Sequence, residues 1–234
     1  MHYAFPTMSD TPASSSSTVA LLSVSGLNAW YGDAHILFDV GFTLAAGEVL
    51  ALAGPNGSGK STTIKSIMGL IPRVTGQIRF DGREILGSPP HRIARLGLGY
   101  VPEERRIFTE LTVLENLETG RQPPRTELSP WTVEKVFELF PNLATMAHRR
   151  AQYMSGGEQQ MLAVARTLMG NPRAILLDEP SEGVAPVIVE QMARMVLELK
   201  HQGLAVLVSE QNQYFIDSVA DRVIQLRQGH VVSE

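Results

Sequence analysis

The stretch Gly54-Pro55-Asn56-Gly57-Ser58-Gly59-Lys60-Ser61 decides how the rest of this sequence is interpreted. It fits the pattern G-x-x-x-x-G-K-[ST] at every position, and it follows a continuous apolar run, Val49 to Ala53. A helical pattern through Ile64 and Ile67 comes directly after it. Glycines let the backbone curl so that successive N–H groups point at phosphate oxygens, and the helix start adds partial positive charge. We therefore predict a nucleotide phosphate site at residues 54–61, extended by Thr62.

Charged and hydroxyl groups complete the predicted phosphate site. Lys60 supplies a point charge for the β- and γ-phosphates, and Ser61 supplies a hydroxyl for Mg²⁺. A second apolar run, residues 174–177, ends in Asp178 and Glu179, and open α/β sheets place their ligand sites at such strand ends. We expect Asp178 to hold Mg²⁺ and Glu179 to orient or deprotonate the attacking water. A solvated acidic turn is the alternative.

The apolar runs also predict the architecture. Further runs at residues 204–208 and 223–226 alternate with helical patterns, which favours an α/β layered core with parallel strands. Residues 21–42, joined later by residues 77–80, have the composition of antiparallel strands. Residues 89–170 are mostly helical in pattern. We therefore expect a helical insertion within an α/β core.

Length, charge and composition exclude several classes of protein. The chain has 234 residues, a net charge of −4 and no cysteine, so a disulfide scaffold, a thiolate metal site and a dedicated DNA-binding domain are all disfavoured. The apolar runs are far shorter than the roughly 18 residues that a membrane span needs. The first residues, rich in Ser, Thr and Pro, predict a disordered tail over residues 1–19, followed by a single domain over residues 20–234.

A second glycine-containing segment is Ser155-Gly156-Gly157-Glu158-Gln159, which opens a strongly helical run. Exposed N–H groups at a helix start form an anion site, although such a segment by itself is usually just a helix cap. Its position some twenty residues before Asp178 makes the anion-binding interpretation more specific.

The glycine loop, the Ser-Gly-Gly-Glu-Gln segment and the Leu-Leu-Asp-Glu-Pro strand end, in this order, resemble the ATP-binding cassette ATPases over about residues 20–234. The resemblance implies a P-loop NTPase core of the α/β class, carrying an antiparallel β subdomain and a helical subdomain at about residues 89–170. It also implies ATP and Mg²⁺ as ligands. Family members work as head-to-tail pairs, so Ser155, Gly156, Gly157 and Glu158 would contact the γ-phosphate held by a second ATPase subunit. Tyr31 matches the family's aromatic residue that stacks on adenine.

Three positions depart from the common pattern of that family. Glu103 stands where most members have a glutamine that senses the γ-phosphate and Mg²⁺, and its carboxylate is itself a possible Mg²⁺ ligand. Gln211 stands where a histidine usually contacts the γ-phosphate, and it donates a hydrogen bond without becoming positively charged. Ala185 replaces an aspartate. These departures indicate either a weakly active site or a particular branch of the family.

The branch interpretation has better support. Residues 101–108, 155–162 and 209–212 together resemble one ATPase subunit of bacterial branched-chain amino acid importers. That resemblance implies a peripheral protein on the cytoplasmic face of the membrane, bound to permease subunits and indirectly served by a substrate-binding protein. It also implies a heterodimer with a second ATPase subunit, a homodimer being the other possibility. Arg105 and Arg106 are either part of this branch pattern or two solvated charges.

Other functions stay open at this point. Similar importers carry urea or short amides, and these substrates are the first alternative. A soluble cassette protein acting on ribosomes or DNA is less favoured, because such relatives usually carry two cassettes or a long coiled-coil insertion. A small phosphotransferase would use the same glycine loop but would not need Ser155, Gly156 and Gly157.

Overall fold

The computed structural model describes residues 20–125 and 129–233. The predicted disordered tail, residues 1–19, lies outside the described residues, so that prediction is not tested. The strands are β1 (Ala20–Tyr31), β2 (Ala34–Ala45), β3 (Val49–Ala53), β4 (Arg73–Phe80), β5 (Arg83–Glu84), β6 (Leu98–Val101), β7 (Ala174–Asp178), β8 (Ala205–Glu210), β9 (Arg222–Arg227) and β10 (His230–Ser233). The helices are α1 (Lys60–Ile67), α2 (Pro90–Leu96), α3 (Val113–Gly120), α4 (Val133–Leu139), α5 (Pro141–Thr145), α6 (Gly156–Leu168), α7 (Pro186–His201) and α8 (Gln213–Val219), with a 3₁₀ turn at Ala151–Tyr153.

The main sheet has six strands in the order β10-β9-β3-β8-β7-β6. Strands β6, β7, β8, β3 and β9 run parallel, and β10 is antiparallel to β9. Every residue of β3 and β7 is buried, as expected for strands covered on both faces. This arrangement confirms the predicted α/β class, and it brings the carboxyl ends of β3, β8, β7 and β6 to one edge.

A second sheet is antiparallel, in the order β2-β1-β4-β5, and it covers one face of the main sheet. Leu22 and Phe80 from this sheet share a buried cluster with Leu52 of β3 and Leu207 of β8. Helix α1 contributes Ile64 to the same cluster. The helix that follows the glycine loop is therefore fixed by apolar contacts on the side away from the loop.

The opposite face of the main sheet packs against α3, α6, α7 and α8. Ala51 and Val208 of the sheet share a buried cluster with Leu117, Leu162 and Val196 of these helices. The longest helix, α7, has 16 residues. Within the described part of the chain, no helix combines the length and the apolar character needed to cross a bilayer.

The expected helical segment over residues 89–170 differs from the structure at its beginning. Leu98–Val101 forms β6, the edge strand of the main sheet, with Gly99 opposite Ile175 of β7. A strand of only four residues, one of them a glycine, is too short to show an alternating pattern. It could therefore not be recognised in the sequence between α2 and α3. The uninterrupted helical region begins only after β6, with α3 at Val113.

Candidate functional site

The glycine loop joins β3 to α1 at the edge where the parallel strands end. Gly54 has φ 154°, and a Cβ there would lie 2.3 Å from the backbone oxygen of Leu226. A side chain would therefore force the loop away from β9. Helix α1 begins after Gly59 without a side-chain cap, so its first N–H groups are left for another acceptor. Such a turn is suited to an anion.

The residues of the glycine loop differ in their exposure to solvent. Pro55, Asn56 and Gly57 are exposed, whereas Ser58, Lys60 and Thr62 are buried and Ser61 is half-buried. The Oγ of Ser58 has no hydrogen-bond partner among the described residues. The turn between β9 and β10 supports the backbone of the loop, because the N–H of Gly229 in this turn donates to the Ser58 carbonyl at 2.9 Å.

Lys60 lies between the glycine loop and the end of β7. Its Nζ donates to the carbonyls of Gly54 at 2.8 Å and Pro55 at 3.2 Å. The same nitrogen lies 3.0 Å from Oε1 of Glu179. The structure therefore brings together the two charged residues that the sequence placed in catalysis, although they are far apart along the chain.

Asp178 is fully buried at the end of β7. Its Oδ1 accepts a hydrogen bond from the Ser209 hydroxyl at 2.7 Å, and its Oδ2 lies 3.5 Å from the Tyr100 hydroxyl. Burial, followed by the charge of Asp178, raises the pKa of Tyr100, which keeps that hydroxyl protonated as a donor. Asp178 retains further lone pairs, and a Mg²⁺ ion accepts such oxygen ligands together with the Ser61 hydroxyl.

Among residues 20–125 and 129–233, no group of three or more His, Asp or Glu side chains is placed to hold a metal ion. The two oxygen ligands offered by Ser61 and Asp178 fit Mg²⁺, because in phosphate sites this ion is bound by one or two protein oxygens together with substrate phosphates. The assignment of Ser61 and Asp178 to the metal therefore stays a prediction.

Glu179 has an unusual electrostatic environment. Burial alone would raise its pKa, but a hydrogen bond with Glu182 and the contact with Lys60 together lower the pKa of Glu179. The pKa of Glu182 shifts the other way and is raised to about 7. The main cause is its hydrogen bond with Glu179, followed by burial and by the negative charges of Glu179, Glu103 and Glu210. At neutral pH, Glu179 is thus the ionised member of the pair, as a general base requires.

The loops after β6 and β8 lie at the same edge. Glu103 follows β6 and is exposed, and its negative charge contributes to the raised pKa of Glu182. Gln211 follows β8 and is exposed. Ala185, the residue that replaces an aspartate, is exposed and precedes α7 without capping it. Glu103 and Gln211 accordingly flank the carboxylates, and their roles as metal ligand and phosphate sensor stay predictions.

The Ser-Gly-Gly segment lies apart from this cluster. Ser155 caps α6, since its Oγ accepts from the Glu158 N–H at 3.4 Å while Glu158 Oε2 accepts from the Ser155 N–H at 2.7 Å. The guanidinium of Arg105 lies against Gly156, where a Cβ would be 2.8 Å from Nη1. No hydrogen bond or ion pair within the described residues joins Ser155, Gly156, Gly157 or Glu158 to the glycine loop. Ser155 is exposed and Gly156 is half-buried, whereas Gly157 is buried against Ile188. The contact in trans stays a prediction.

Tyr31 also stands outside the cluster. It ends β1, and 47% of its surface is exposed. The neighbouring Trp30 stacks on His35 with ring centroids 4.3 Å apart, and the guanidinium carbon of Arg73 lies 4.6 Å from the centroid of the Trp30 ring. The exposed ring of Tyr31 suits the stacking of a base, which stays a prediction.

Sequence reasoning missed four residues of the site: Tyr100, Glu182, Ser209 and Glu210. Ser209 and Glu210 end a buried strand, a position that could have identified them. Glu182 gave no signal, because its interaction with Glu179 depends on the turn between them.

Comparisons with known proteins agree with this geometry. The family model described as ABC transporter matches residues 37–182, more than half of the chain. The high-affinity branched-chain amino acid transport ATP-binding protein BraG of Pseudomonas aeruginosa is 41% identical over 91% of both chains. The lipopolysaccharide export system ATP-binding protein LptB of Escherichia coli is 36% identical over 92% of this chain and 90% of its own.

A solved structure gives the same result. An ATP-binding cassette of an ABC transporter in its ADP conformation matches with a TM-score of 0.78 and 29% identity, covering 92% of this chain and 91% of that one. The family's catalytic activity is ATP hydrolysis coupled to transport. The chain belongs to the ATP-binding subunits of ABC transporters.

Proposed function

We propose that this chain hydrolyses ATP to energise an importer of branched-chain amino acids, as a peripheral subunit on the cytoplasmic face of the membrane. The observation that carries the proposal is the contact between Lys60 and Glu179 beside Asp178, at the edge of the sheet where the glycine loop lies. The similarity to BraG, whose name states branched-chain amino acid transport, supports the choice of substrate.

Each residue of the cluster has a role in the proposed reaction. The glycine-loop N–H groups and Lys60 bind the phosphates, and Tyr31 stacks on the adenine. Glu179, ionised beside Lys60, orients the attacking water and accepts its proton. When bound, Mg²⁺ would be held by Ser61 and Asp178, with Glu103 as a further candidate, and would neutralise phosphate charge.

A second ATPase subunit completes each site in this proposal. Ser155 is exposed and its hydroxyl, together with the N–H of Gly156 at the start of α6, is proposed to bind a phosphate held by the partner. The N–H of Ser155 already donates to Glu158. Gln211 in place of a histidine and Ala185 in place of an aspartate favour a partner of a different kind, which supplies the standard residues at the other site. Purification of the assembled transporter would count the kinds of ATPase subunit.

The permease is proposed to bind in a groove between the main sheet and the helical segment. This groove has a volume of about 590 Å³. Its apolar lining includes Met68, Leu98 and Phe108, and half of the Phe108 surface is exposed. Arg95 and Arg166 also line it, and Nη1 of Arg166 is buried without a hydrogen-bond partner among the described residues. The expected occupant is a short amphipathic permease segment with an acidic residue.

Co-purification tests the groove. Phe108→Ala should reduce the amount of permease that purifies with the chain, because an apolar anchor of the groove is lost. Tyr153→Ala is the matched control, since Tyr153 is also an exposed aromatic residue and lies outside the groove. Equal loss of permease in both variants would contradict this docking site.

Uptake measurements test the substrate. A strain that lacks this chain should lose uptake of labelled leucine, and the wild-type gene but not the Glu179→Gln variant should restore it. Loss of urea uptake with normal leucine uptake would favour the urea or short-amide importer instead.

Lipopolysaccharide export is a second candidate, favoured by the similarity to LptB. In that case the deletion strain would take up leucine and urea normally and would fail to deliver lipopolysaccharide to the cell surface. Measurement of both properties in the same strain therefore separates the two functions.

A further inference from the structure

Two adjacent residues at the end of β8, Ser209 and Glu210, are almost completely buried and are not part of the proposed chemistry. Ser209 lies opposite Asp178 in the parallel pairing of β8 and β7. Both polar side chains point to the loops that follow these two strands. Their hydrogen bonds show what they do there.

Ser209 holds both carboxylate residues of β7. Its hydroxyl donates to Oδ1 of Asp178 at 2.7 Å, and the same Oγ accepts from the N–H of Glu179 at 3.1 Å. The carbonyl of Ser209 accepts from this N–H as well, at 3.0 Å. Glu179 has φ +47°, a left-handed conformation that a residue with a side chain rarely adopts. Such a conformation persists where neighbouring contacts fix it, and Ser209 provides those contacts.

Glu210 joins two loops through its two oxygens. Oε1 accepts from the N–H of Ser181 at 2.8 Å, in the loop after β7. Oε2 accepts from the N–H groups of Gln211 at 3.1 Å and Asn212 at 3.2 Å, in the loop after β8. Within residues 20–125 and 129–233, no lysine or arginine forms an ion pair with this carboxylate. Three backbone donors therefore compensate the burial of its charge.

We infer that Ser209 and Glu210 are positioning residues, which clamp the loop of Asp178, Glu179 and Ser181 to the loop of Gln211. A displacement of Gln211 is transmitted through Glu210 to Ser181, two residues beyond Glu179. The functional part of the inference rests on the proposed roles of Glu179 and Gln211. The clamp itself rests on the hydrogen bonds alone.

Only a carboxylate supplies this set of acceptors at position 210. A glutamine has one acceptor oxygen, and its NH₂ group would face an N–H donor in place of the second oxygen. Glu210→Gln therefore keeps the size of the side chain but breaks one side of the clamp. This makes the variant a sharper test than a truncation to alanine.

The test is hydrogen–deuterium exchange of the full-length Glu210→Gln variant. We expect amide exchange to increase at Ser181, Gln211 and Asn212, because all three N–H groups donate to the Glu210 carboxylate and a neutral carboxamide is a weaker acceptor than a carboxylate. In the assembled transporter, kcat for ATP should fall by about 100-fold, the loss that a displacement of about 1 Å produces. The KM for ATP should change by less than about three-fold, since the glycine loop is intact.

Asn171→Ala is the matched control. Asn171 is also buried and polar, and its side chain joins two loops by accepting from the Trp131 N–H and donating to the Gln122 carbonyl. It precedes β7, at the strand end opposite to Asp178. This variant should lower the midpoint of thermal unfolding without changing exchange at Ser181 and Gln211 or the kcat. A purely structural role for Glu210 predicts the same pattern for both variants.

The outcomes separate the clamp from the proposed function. Unchanged exchange at either loop in Glu210→Gln would overturn the clamp. Increased exchange at both loops, combined with normal turnover in Glu179→Gln, would support the clamp and contradict the proposed catalytic role. If Glu210→Gln fails to fold, Glu210→Asp replaces it, because the shorter side chain keeps both oxygens but no longer reaches both loops. Faster exchange at Ser181, or at Gln211 and Asn212, is then the expected result, and unchanged exchange at all three is the contrary one.

Discussion

Lys60 and Glu179 form a buried ion pair, with Nζ of Lys60 3.0 Å from Oε1 of Glu179. The pair connects the start of α1 to the end of β7, and Lys60 also donates to the Gly54 carbonyl. The cation that binds phosphate and the carboxylate that acts on water are therefore adjacent. Since a carboxylate beside a cation stays ionised at neutral pH, the geometry suits Glu179 as a base.

Replacement of Glu179 by glutamine should abolish turnover without preventing nucleotide binding. We expect the rate of phosphate release in the assembled complex to fall by about 100-fold or more, because a general base is lost. ADP affinity should change by less than about ten-fold, since Lys60 and the glycine loop remain. Glu190→Gln, on the exposed surface of α7, is the control. Near wild-type turnover in Glu179→Gln would contradict the proposed mechanism.

The pair of Glu182 and Glu179 should make folding stability depend on pH. The pKa of Glu182 is raised from 4.5 to about 7 in the folded chain. The folded state therefore binds the proton more tightly than the unfolded state, and the contribution of Glu182 to stability is lost as the pH rises through about 7. Urea unfolding between about pH 5 and 8 should show the wild type losing stability relative to Glu182→Gln.

Glu118 provides a control of opposite sign for that measurement. The hydrogen bond from Arg121 lowers the pKa of Glu118. The wild type should accordingly lose stability relative to Glu118→Gln only as the pH falls below about 4.5, so this difference should stay constant over the range in which Glu182 titrates. A stability difference between wild type and Glu182→Gln that stays constant over the whole range would contradict the interaction of the two carboxyl groups.

Tyr31 is expected to bind adenine by stacking. Tyr31→Ala should weaken ADP binding by about ten-fold, which corresponds to the loss of about 1.4 kcal/mol of stacking energy. Tyr31→Trp should retain the affinity, because any aromatic face stacks on a base. Calorimetric titration measures both. Tyr214→Ala, an exposed tyrosine on α8, should bind ADP normally, and equal affinities for all four proteins would rule out this role.

Gly229 should be among the most sensitive glycines of the chain. A Cβ there would lie 1.9 Å from the Ile36 carbonyl oxygen, and the residue has φ +80°. Gly229→Ala should destabilise the fold by about 3 kcal/mol or more. The backbone at Ile36 would have to move away from the new methyl group, and the alanine would also have to adopt a left-handed conformation. Gly82→Ala has φ +71° but no atom within 4 Å, so it should cost only about 1 kcal/mol. Comparable urea midpoints for the two variants would contradict this explanation.

The parts of the site that could be predicted from sequence are those encoded in short continuous segments. The glycine loop needs a strand, a turn and a helix in succession, and the sequence shows all three around Lys60. Asp178 and Glu179 were located for the same reason, since they follow an apolar run. The rule that parallel strands end at one edge places the glycine loop and the Asp178-Glu179 pair at the same edge, but the direct contact between Lys60 and Glu179 is a finding of the structure.

The parts that were missed depend on contacts between distant segments. The carboxylate of Glu210 was not assigned, because its partner Ser181 is 29 residues away and donates through its backbone, which no residue type reveals. Strand β6 was missed because four residues around Gly99 show no periodicity. The pairing of β6 with β7, not its own composition, makes it a strand.

The support of Ser58 by Gly229 has a consequence for the synthesis of this protein. The N–H of Gly229 donates to the Ser58 carbonyl, and the carbonyl of Gly229 accepts from the Phe38 N–H. The glycine loop is therefore supported by a residue 171 positions after Ser58. A ribosome that adds about 5–20 residues per second needs about ten to thirty seconds to reach Gly229 after it has made Ser58. The glycine loop lacks this hydrogen bond during that interval, so we expect high nucleotide affinity only after the β9–β10 hairpin has been made.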